Sequence, residues 1–232
     1  MRVISYNLRK HAARGELEQL VDTHTPNLLC LQEVDTDDLP HELGALTLAD
    51  ATKLNRLGLA IYYNHDRFEA LSTKAFALKR SLHDIIAKPA LERLLGTHLI
   101  DREHERELVI GCFHAAPLTA LNSLRRTQIR AAHEALDSFG STLPTLMVGD
   151  FNYPVFKDHL STSVQETGHE VSLSDARTYT RYKFFRGHFD FATSIGLTIT
   201  KVTTLPQGQS DHLPILVTAK YAKALEPAET SL

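Results

Sequence analysis

The 232-residue sequence predicts an α+β fold in which two packed β-sheets lie between outer helices. Several predicted strands are nearly continuous apolar runs, such as 28–31 and 108–113, and such runs suit strands that are covered on both faces. Two other segments repeat apolar residues every three or four positions, as amphipathic helices do. Hydrophobic residues make up 43% of the chain, which is enough to bury a sizeable core.

Apolar runs bounded by turn residues predict eight strands, at residues 2–7, 28–33, 57–63, 107–114, 144–150, 188–194, 198–205 and 213–219. A helix over 15–25 is indicated by Leu17, Leu20 and Val21, and the Thr25-Pro26 pair ends it. The same spacing predicts a second helix over 120–139.

The stretch from 79 to 106 has the weakest pattern. There we predict a helix over 88–96 and a charged turn over 101–107. No linker, charge block or internal repeat divides the chain, so residues 1–222 are expected to form one domain, followed by a flexible tail over 223–232.

The net charge of −3 does not draw the protein towards polyanions, so a site for one must be a local basic patch. No apolar run approaches the length of a signal peptide or the roughly 20 residues of a membrane span. The sequence therefore predicts a soluble, cytoplasmic protein, and it suggests no protein partner. Cys30 and Cys112 lie in apolar runs and are expected to be buried thiols.

Polar residues that could do chemistry lie at the ends of predicted strands. Asp150 and Asn152 follow an apolar run and are two residues apart, so their side chains share one face, while Phe151 points the other way. Near the C-terminus, Asp211 and His212 add an acid and an imidazole that can exchange a proton near neutral pH. Acid, amide and imidazole are the groups used in metal-assisted hydrolysis.

Six short motifs in this order resemble those of the endonuclease/exonuclease/phosphatase superfamily, which includes DNase I, abasic-site endonucleases, sphingomyelinases and inositol polyphosphate phosphatases. They are Ser5-Tyr6-Asn7, Leu31-Gln32-Glu33-Val34, His114, Gly149-Asp150-Phe151-Asn152, Phe189-Asp190-Phe191 and Ser210-Asp211-His212. The resemblance implies a four-layer, DNase I-like sandwich of two mainly antiparallel sheets flanked by helices. It leaves the subfamily open.

By the same resemblance, Glu33 is a metal ligand, with Asn7 and Asp211 on the metal side. A carboxylate suits Mg²⁺, which takes oxygen ligands and keeps several waters; Mn²⁺ is an alternative. Taken alone, Glu33 could also be a surface acid just past a strand end.

The resemblance also assigns catalytic roles. Asp150 orients or deprotonates the attacking water, and Asn152 steadies the phosphoryl oxygens. His114 contacts the phosphate or protonates the leaving oxygen, and His212 contacts the phosphate or handles the water proton.

The partner of His212 can be predicted from geometry. Asp211 is its neighbour in sequence, so along an extended chain the two side chains diverge. Asp190 lies between Phe189 and Phe191 in an apolar strand, where an acid needs a partner. We therefore expect Asp190 to hold the His212 ring.

The segment 177–188 contains four basic and four aromatic residues and no acid, a composition typical of a single-strand binding platform. An equally weighted alternative is a loop with core aromatics and solvated cations. The substrate-binding candidates are Arg181, Lys183, Arg186 and His188, with Arg125 as part of a second patch. Most other histidines, such as His169, fall in polar loops and are expected to be solvated.

Together these observations predict a divalent-metal-dependent phosphodiesterase that acts on DNA or RNA. The first alternative is a phosphoesterase for small molecules or lipid headgroups, which the acidic net charge and compact length favour. The second is a non-catalytic module that binds phosphate in the same groove.

Overall fold

The computed structural model describes residues 1–80, 91–154, 157–181 and 187–222. In these ranges the α-helices are α1 (Leu17–His24), α2 (Asn122–Asp137) and α3 (Lys157–Gln165). The strands of the same ranges are β1 (Arg2–Asn7), β2 (Leu28–Val34), β3 (Glu42–Leu43), β4 (Leu46–Ala51), β5 (Gly58–Asn64), β6 (Phe68–Ala77), β7 (Glu92–Asp101), β8 (Arg106–His114), β9 (Thr145–Asp150), β10 (Glu170–Leu173), β11 (Asp190–Ile195), β12 (Leu197–Thr204) and β13 (Ile215–Tyr221).

The strands form two sheets. One has seven strands in the order β12-β13-β1-β2-β5-β4-β3, and the other has six in the order β10-β11-β9-β8-β7-β6. Only β1–β2 and β8–β9 pair in parallel among the described strands. The predicted α+β class with two mainly antiparallel sheets is confirmed.

The main core lies between the sheets, where Leu28 and Ile61 of the first sheet share a buried cluster with Ile110 and Val148 of the second. The outer faces are covered as well. Leu17 of α1 packs on the first sheet, and α2 and α3 cover the second. Strands covered on both faces need apolar residues at successive positions, which explains their nearly continuous runs.

The two parallel pairs bring the site together because both end at the same edge of the sandwich. Asn7 pairs with Gln32 where β1 and β2 end, and His114 pairs with Asp150 where β8 and β9 end. Asp190 begins β11 directly opposite Asp150. Residues far apart in sequence therefore meet at one edge.

The helix predicted over 88–96 is wrong for residues 92–96, which belong to β7, while 88–90 lie outside the described residues. Leu94 and Leu95 are both fully buried, one in the cluster beneath α2 and the other between the sheets. Two adjacent leucines that face opposite covered sides match a buried strand, although the local sequence resembles a helix turn. The predicted charged turn joins β7 to β8.

The prediction that His169 is solvated is also wrong. Its side chain is 1% exposed and stacks on His133 of α2, with ring centroids 3.7 Å apart and planes within 5°. The proposed tail over 223–232 lies outside the described residues, and the single-domain boundary stays a prediction. In the described part of the chain, no helix combines the length and the apolarity needed to cross a bilayer.

Candidate active site

Gly149 allows β9 to lie unusually close to β8. A Cβ atom at this position would lie 1.9 Å from the Phe113 carbonyl oxygen, and the backbone φ is +153°. Only glycine fits without displacing backbone. The close approach places the next residue, Asp150, beside His114.

Asp150 is the centre of the site, and its side chain is 2% exposed. Its Oδ1 accepts a hydrogen bond from the Asn152 backbone at 2.9 Å, and its Oδ2 accepts from the side-chain amides of Asn7 and Asn152 at 3.1 Å each. Burial raises its pKa to about 7, and the Asp190 and Glu33 carboxylates reinforce the shift while His212 opposes it. Asp150 can therefore hold or release a proton near neutral pH.

Asp190 and His212 form a buried pair. The ring Nδ1 lies 2.8 Å from Asp190 Oδ2, and Thr178 Oγ1 accepts from the Asp190 backbone N–H at 3.1 Å. Burial opposes a charge on the ring, but the Asp190 and Asp150 carboxylates raise the pKa of His212 to about 10. The ring is thus an imidazolium at neutral pH, and its Nε2 lies 3.7 Å from Asp150 Oδ2.

Glu33 leaves the sheet through a β-bulge. It has a φ of +55°, and the β2–β5 register shifts between Gln32 and Val34. Such a bulge redirects the side chain at the strand end. Glu33 Oε2 accepts from the Lys10 backbone N–H at 2.8 Å. Burial would raise its pKa, but His114, this N–H and other donors lower it, so the carboxylate is ionised.

His114 stands between the two acids. Its Nε2 lies 3.9 Å from Glu33 Oε1 and 3.7 Å from Asp150 Oδ2. Burial lowers the pKa of His114 to about 4, and Arg93 contributes to the shift although Glu33 opposes it. The ring is therefore neutral at pH 7 and can accept or donate a hydrogen bond.

The distances of 3.7 to 3.9 Å from the two histidines to the carboxylates are longer than hydrogen bonds. Glu33, His114, Asp150 and His212 are therefore close neighbours that do not hydrogen-bond one another, and the space that they border, called the gap below, has negative and positive sides. Two acids, an imidazolium and a neutral imidazole around one gap are suited to bind a phosphate group and to exchange its protons.

A metal ion fits one side of this gap better than the other. Asp150, Asp190 and His212 bring potential ligand atoms within 4.8 Å of one another, but a protonated imidazole has no lone pair to offer. Glu33 and Asp150 supply carboxylate oxygens, and Asn7 Oδ1 accepts one N–H, from Arg9, which leaves a lone pair. The oxygen-rich side at Glu33 thus suits a hard divalent cation.

Of the other predicted residues, Arg181 has its Nη1 3.8 Å from Asp211 Oδ2. The Asp211 side chain is 12% exposed, and its metal contact stays a prediction. His188 Nδ1 lies 3.0 Å from Ser174 Oγ. Lys183 and Arg186 lie outside the described residues.

Arg125 does not fit the predicted substrate contact. Its side chain is 1% exposed, and its guanidinium donates to the carbonyls of Ala116 and Pro117 and to Asn122 Oδ1. These hydrogen bonds hold the Arg125 side chain against the loop that follows His114. The long-range fold of that loop decides its burial, and the helical pattern alone does not reveal it.

Arg93 was not predicted. It is buried, and its Nη1 donates to the carbonyls of His114 and Ala115 at 3.0 and 2.8 Å. Its charge helps to keep His114 neutral. Arg93 directly precedes the apolar run of β7, and a cation at that position could have been recognised as a buried one. It was missed because a helix was predicted there.

The sequence profile of the endonuclease/exonuclease/phosphatase family matches residues 4–212, which is most of the chain. The chain belongs to this family. The family assignment made from the six motifs is thereby confirmed, together with the DNase I-like sandwich, and membership supports a hydrolase.

A curated protein similar to this chain is Protein angel of Drosophila melanogaster, with 27% identity over an alignment of 160 residues that covers 64% of this chain and 44% of that protein. The match thus spans less than half of that relative. Among solved structures, a Bacteroides thetaiotaomicron mannosyl-6-phosphatase has a TM-score of 0.74 at 18% identity, covering 95% of this chain and all of that one. A D. rerio TDP2 complex with a single-strand DNA product has a TM-score of 0.73 at 15% identity, covering 95% and 98% of the two chains. These structural likenesses concern the fold.

Proposed function

We propose that this chain is a divalent-metal-dependent phosphodiesterase that hydrolyses P–O bonds in nucleic acid. The observation that carries the proposal is the arrangement of His212, which contacts Asp190 at 2.8 Å and faces Asp150 Oδ2 at 3.7 Å. It places a buried imidazolium beside a carboxyl whose pKa is close to neutral, which is the pairing that water activation and phosphate binding require.

Asp150 Oδ2 accepts the proton of the attacking water. The Asn7 and Asn152 amides hold this carboxylate in a fixed orientation, since both donate to it at 3.1 Å. As Asp150 takes up the proton, these amides can turn part of their donor capacity towards the phosphoryl oxygens. A neutral donor stabilises the growing charge there without a proton transfer.

His212 donates from Nε2 to a non-bridging phosphate oxygen, and Asp190 keeps the ring charged and in place. His114 is neutral at pH 7 and lies on the other side of the gap, 3.9 Å from Glu33 Oε1. It donates a hydrogen bond from Nε2 to the leaving oxygen, which takes up a proton from solvent as the P–O bond breaks. The site thus contains one charged imidazole, His212, and one neutral imidazole, His114, and the surroundings of each ring determine its charge.

Glu33 and Asn7 would hold the metal, which we propose to be Mg²⁺, with Mn²⁺ as a substitute. A bound divalent cation would withdraw charge from the phosphate oxygens and favour hydroxide over water. Asp211 remains a proposed outer contributor.

Nucleic acid is the preferred substrate because cations gather around the site although the whole chain carries a net charge of −3. Arg9 and Lys10 are exposed next to Asn7, Arg181 lies beside Asp211, and Arg126 donates to the Tyr153 hydroxyl next to Asn152. The likeness to the TDP2 structure with its single-strand DNA product agrees with such a substrate.

The second candidate is a small phosphate ester, and the likeness to a mannosyl-6-phosphatase favours it. A panel of single-stranded DNA, RNA, plasmid, bis(p-nitrophenyl) phosphate, mannose 6-phosphate and inositol phosphates separates the two, with Mg²⁺, Mn²⁺ or EDTA added. We expect metal-dependent cleavage of DNA or RNA. Hydrolysis confined to sugar phosphates would move the second candidate ahead.

A further inference from the structure

The carboxylate of Asp211 lies next to two arginines that are far apart in the sequence. Arg9 Nε and Arg181 Nη1 are each 3.8 Å from the same oxygen, Asp211 Oδ2. We propose that Arg9 and Arg181, held together by Asp211, form a clamp for a second phosphate of the substrate, next to the phosphodiester that is cleaved. The inference rests on the proposed nuclease function and adds a requirement to it.

The backbone at Arg9 and the following residue is hydrogen-bonded to the side chains of Asn7 and Glu33. Its N–H donates to Asn7 Oδ1 at 3.0 Å, and the following N–H, of Lys10, donates to Glu33 Oε2 at 2.8 Å. Arg9 has a φ of +48°, which is unusual for a residue with a side chain. These bonds maintain that conformation, so the position of Arg9 relative to the site is fixed.

The residue before Arg181 is hydrogen-bonded to the backbone of Asp211. The preceding residue, Thr180, donates from its N–H and its Oγ1 to the Asp211 carbonyl at 2.9 and 3.0 Å. One residue earlier, Tyr179 forms a backbone bridge with His212. The start of the Arg181 side chain is thus placed by the residue next to the catalytic imidazolium.

Charge and exposure fit an anion at this position. The Arg9 and Arg181 side chains are 49% and 52% exposed, whereas that of Asp211 is 12% exposed. One carboxylate between two guanidinium groups leaves one net positive charge. At 3.8 Å the carboxylate forms no bidentate bond with either guanidinium, and Arg9 Nη1 donates to the Gln209 carbonyl at 3.5 Å. Both arginine side chains are nevertheless open enough to solvent for a phosphate to reach them. Asp211 acts as a positioning residue that reduces the repulsion between the two cations.

Dinucleotides that differ by one phosphate test the clamp. The substrates are NpN, which has only the scissile phosphodiester, and pNpN and NpNp, which carry a second phosphate on one side or the other. Relative kcat/KM for the three is measured with the wild-type chain and with Arg9→Ala, Arg181→Ala and the double variant. Arg102→Ala is the matched control, because Arg102 is also 52% exposed and pairs with an acid, Glu69, away from this site.

We expect the wild type to prefer pNpN or NpNp over NpN by on the order of tenfold, as charge-assisted contacts to phosphate allow. Each alanine variant should reduce this preference, and the double variant should bring it close to one. Arg9→Lys and Arg181→Lys, which keep the charge, should restore part of it. Arg102→Ala should keep the wild-type preference.

Binding in EDTA gives a readout that needs neither metal nor turnover. Fluorescence anisotropy with a single-stranded oligonucleotide should show a shallower salt dependence in the double variant, by roughly 0.7 in the log–log slope for each phosphate that an arginine no longer neutralises. An unchanged slope together with an unchanged dinucleotide preference would overturn the clamp. So would a wild type that cleaves all three dinucleotides equally well. If the wild type cleaves no dinucleotide and no oligonucleotide, the proposed function itself fails.

Discussion

His212 donates from Nδ1 to Asp190 Oδ2 across 2.8 Å, although Asp211 is its neighbour in sequence. The pair is buried, with Asp190 fully inaccessible and His212 5% exposed. Because burial strengthens electrostatic interactions, this contact keeps the ring charged where a phosphate would bind. The catalytic role of the pair is a prediction that can be tested.

Asp190 and His212 should behave as one unit. We expect Asp190→Asn and His212→Ala each to lower kcat by about 10² to 10⁴-fold, the usual range for a positioned acid–base group. The double variant should be little slower than the slower single variant, because either single change already disables the pair. Losses that multiply across the double-mutant cycle would show that the two residues act independently.

Glu33 should determine the metal requirement. Glu33→Gln keeps the shape but removes the charge, so the Mg²⁺ concentration for half-maximal activity should rise on the order of tenfold or more. Glu42→Gln, at an exposed position of β3, serves as the control. Metal binding can also be measured without turnover by calorimetry. Wild-type Mg²⁺ affinity in Glu33→Gln would remove Glu33 from the metal site.

Gly149 should be essential for folding as well as for activity. In Gly149→Ala the new Cβ would overlap the Phe113 carbonyl, so β9 must move, and we expect a loss of about 3 kcal/mol or more in the free energy of unfolding. Gly15→Ala is the matched control, since no atom lies within 4 Å of the position that a Cβ would take there. Urea denaturation compares the two. Similar stability for both variants would show that the β8–β9 approach is not tight.

The stacked His133–His169 pair should make the fold sensitive to acid. Burial lowers the pKa of His133 to about 2 and also lowers that of His169, whereas both are near 6.5 when unfolded. Below pH 6.5 the unfolded chain therefore binds more protons, and stability falls as the pH falls. For His133 alone the loss between pH 8 and pH 5 is about 2 kcal/mol.

The measurement is the urea midpoint as a function of pH for the wild type, His133→Gln and the exposed-position control His41→Gln. We expect a shallower pH dependence in His133→Gln and an unchanged one in His41→Gln. If the urea midpoint of His133→Gln fell with pH as steeply as that of the wild type, the His133 ring would not be the source of the acid sensitivity.

The layered fold could be predicted because buried strands leave a local signal. The runs that form β2 and β8 are apolar at successive positions, and both faces of each strand are covered. The segment that forms β7 gives no such signal, since its pairing with β6 and β8 is decided by hydrogen bonds to residues outside it. Helix α3 was missed as well.

Within the site, a contact was easier to predict where the local sequence itself demands a partner. Asp190 was chosen as the partner of His212 because an acid between two phenylalanines needs one, and the 2.8 Å distance agrees with that reasoning. The contact of Arg9 with Asp211 joins residues 202 positions apart. The burial of Arg125 depends on a loop that folds back on its helix. Neither the contact of Arg9 with Asp211 nor the burial of Arg125 leaves a local pattern in the sequence.

The most direct test of the account is cleavage of an end-labelled single-stranded oligonucleotide by wild type and Asp150→Asn, each with Mg²⁺ and with EDTA. Asparagine keeps the shape of the side chain but cannot accept the water proton. We predict metal-dependent cleavage by the wild type and a cleavage rate about 10³-fold lower, or lower still, for Asp150→Asn. Circular dichroism should show that both proteins are folded. Comparable cleavage by the two proteins, or equal wild-type cleavage in EDTA, would contradict a metal-dependent phosphodiesterase centred on Asp150.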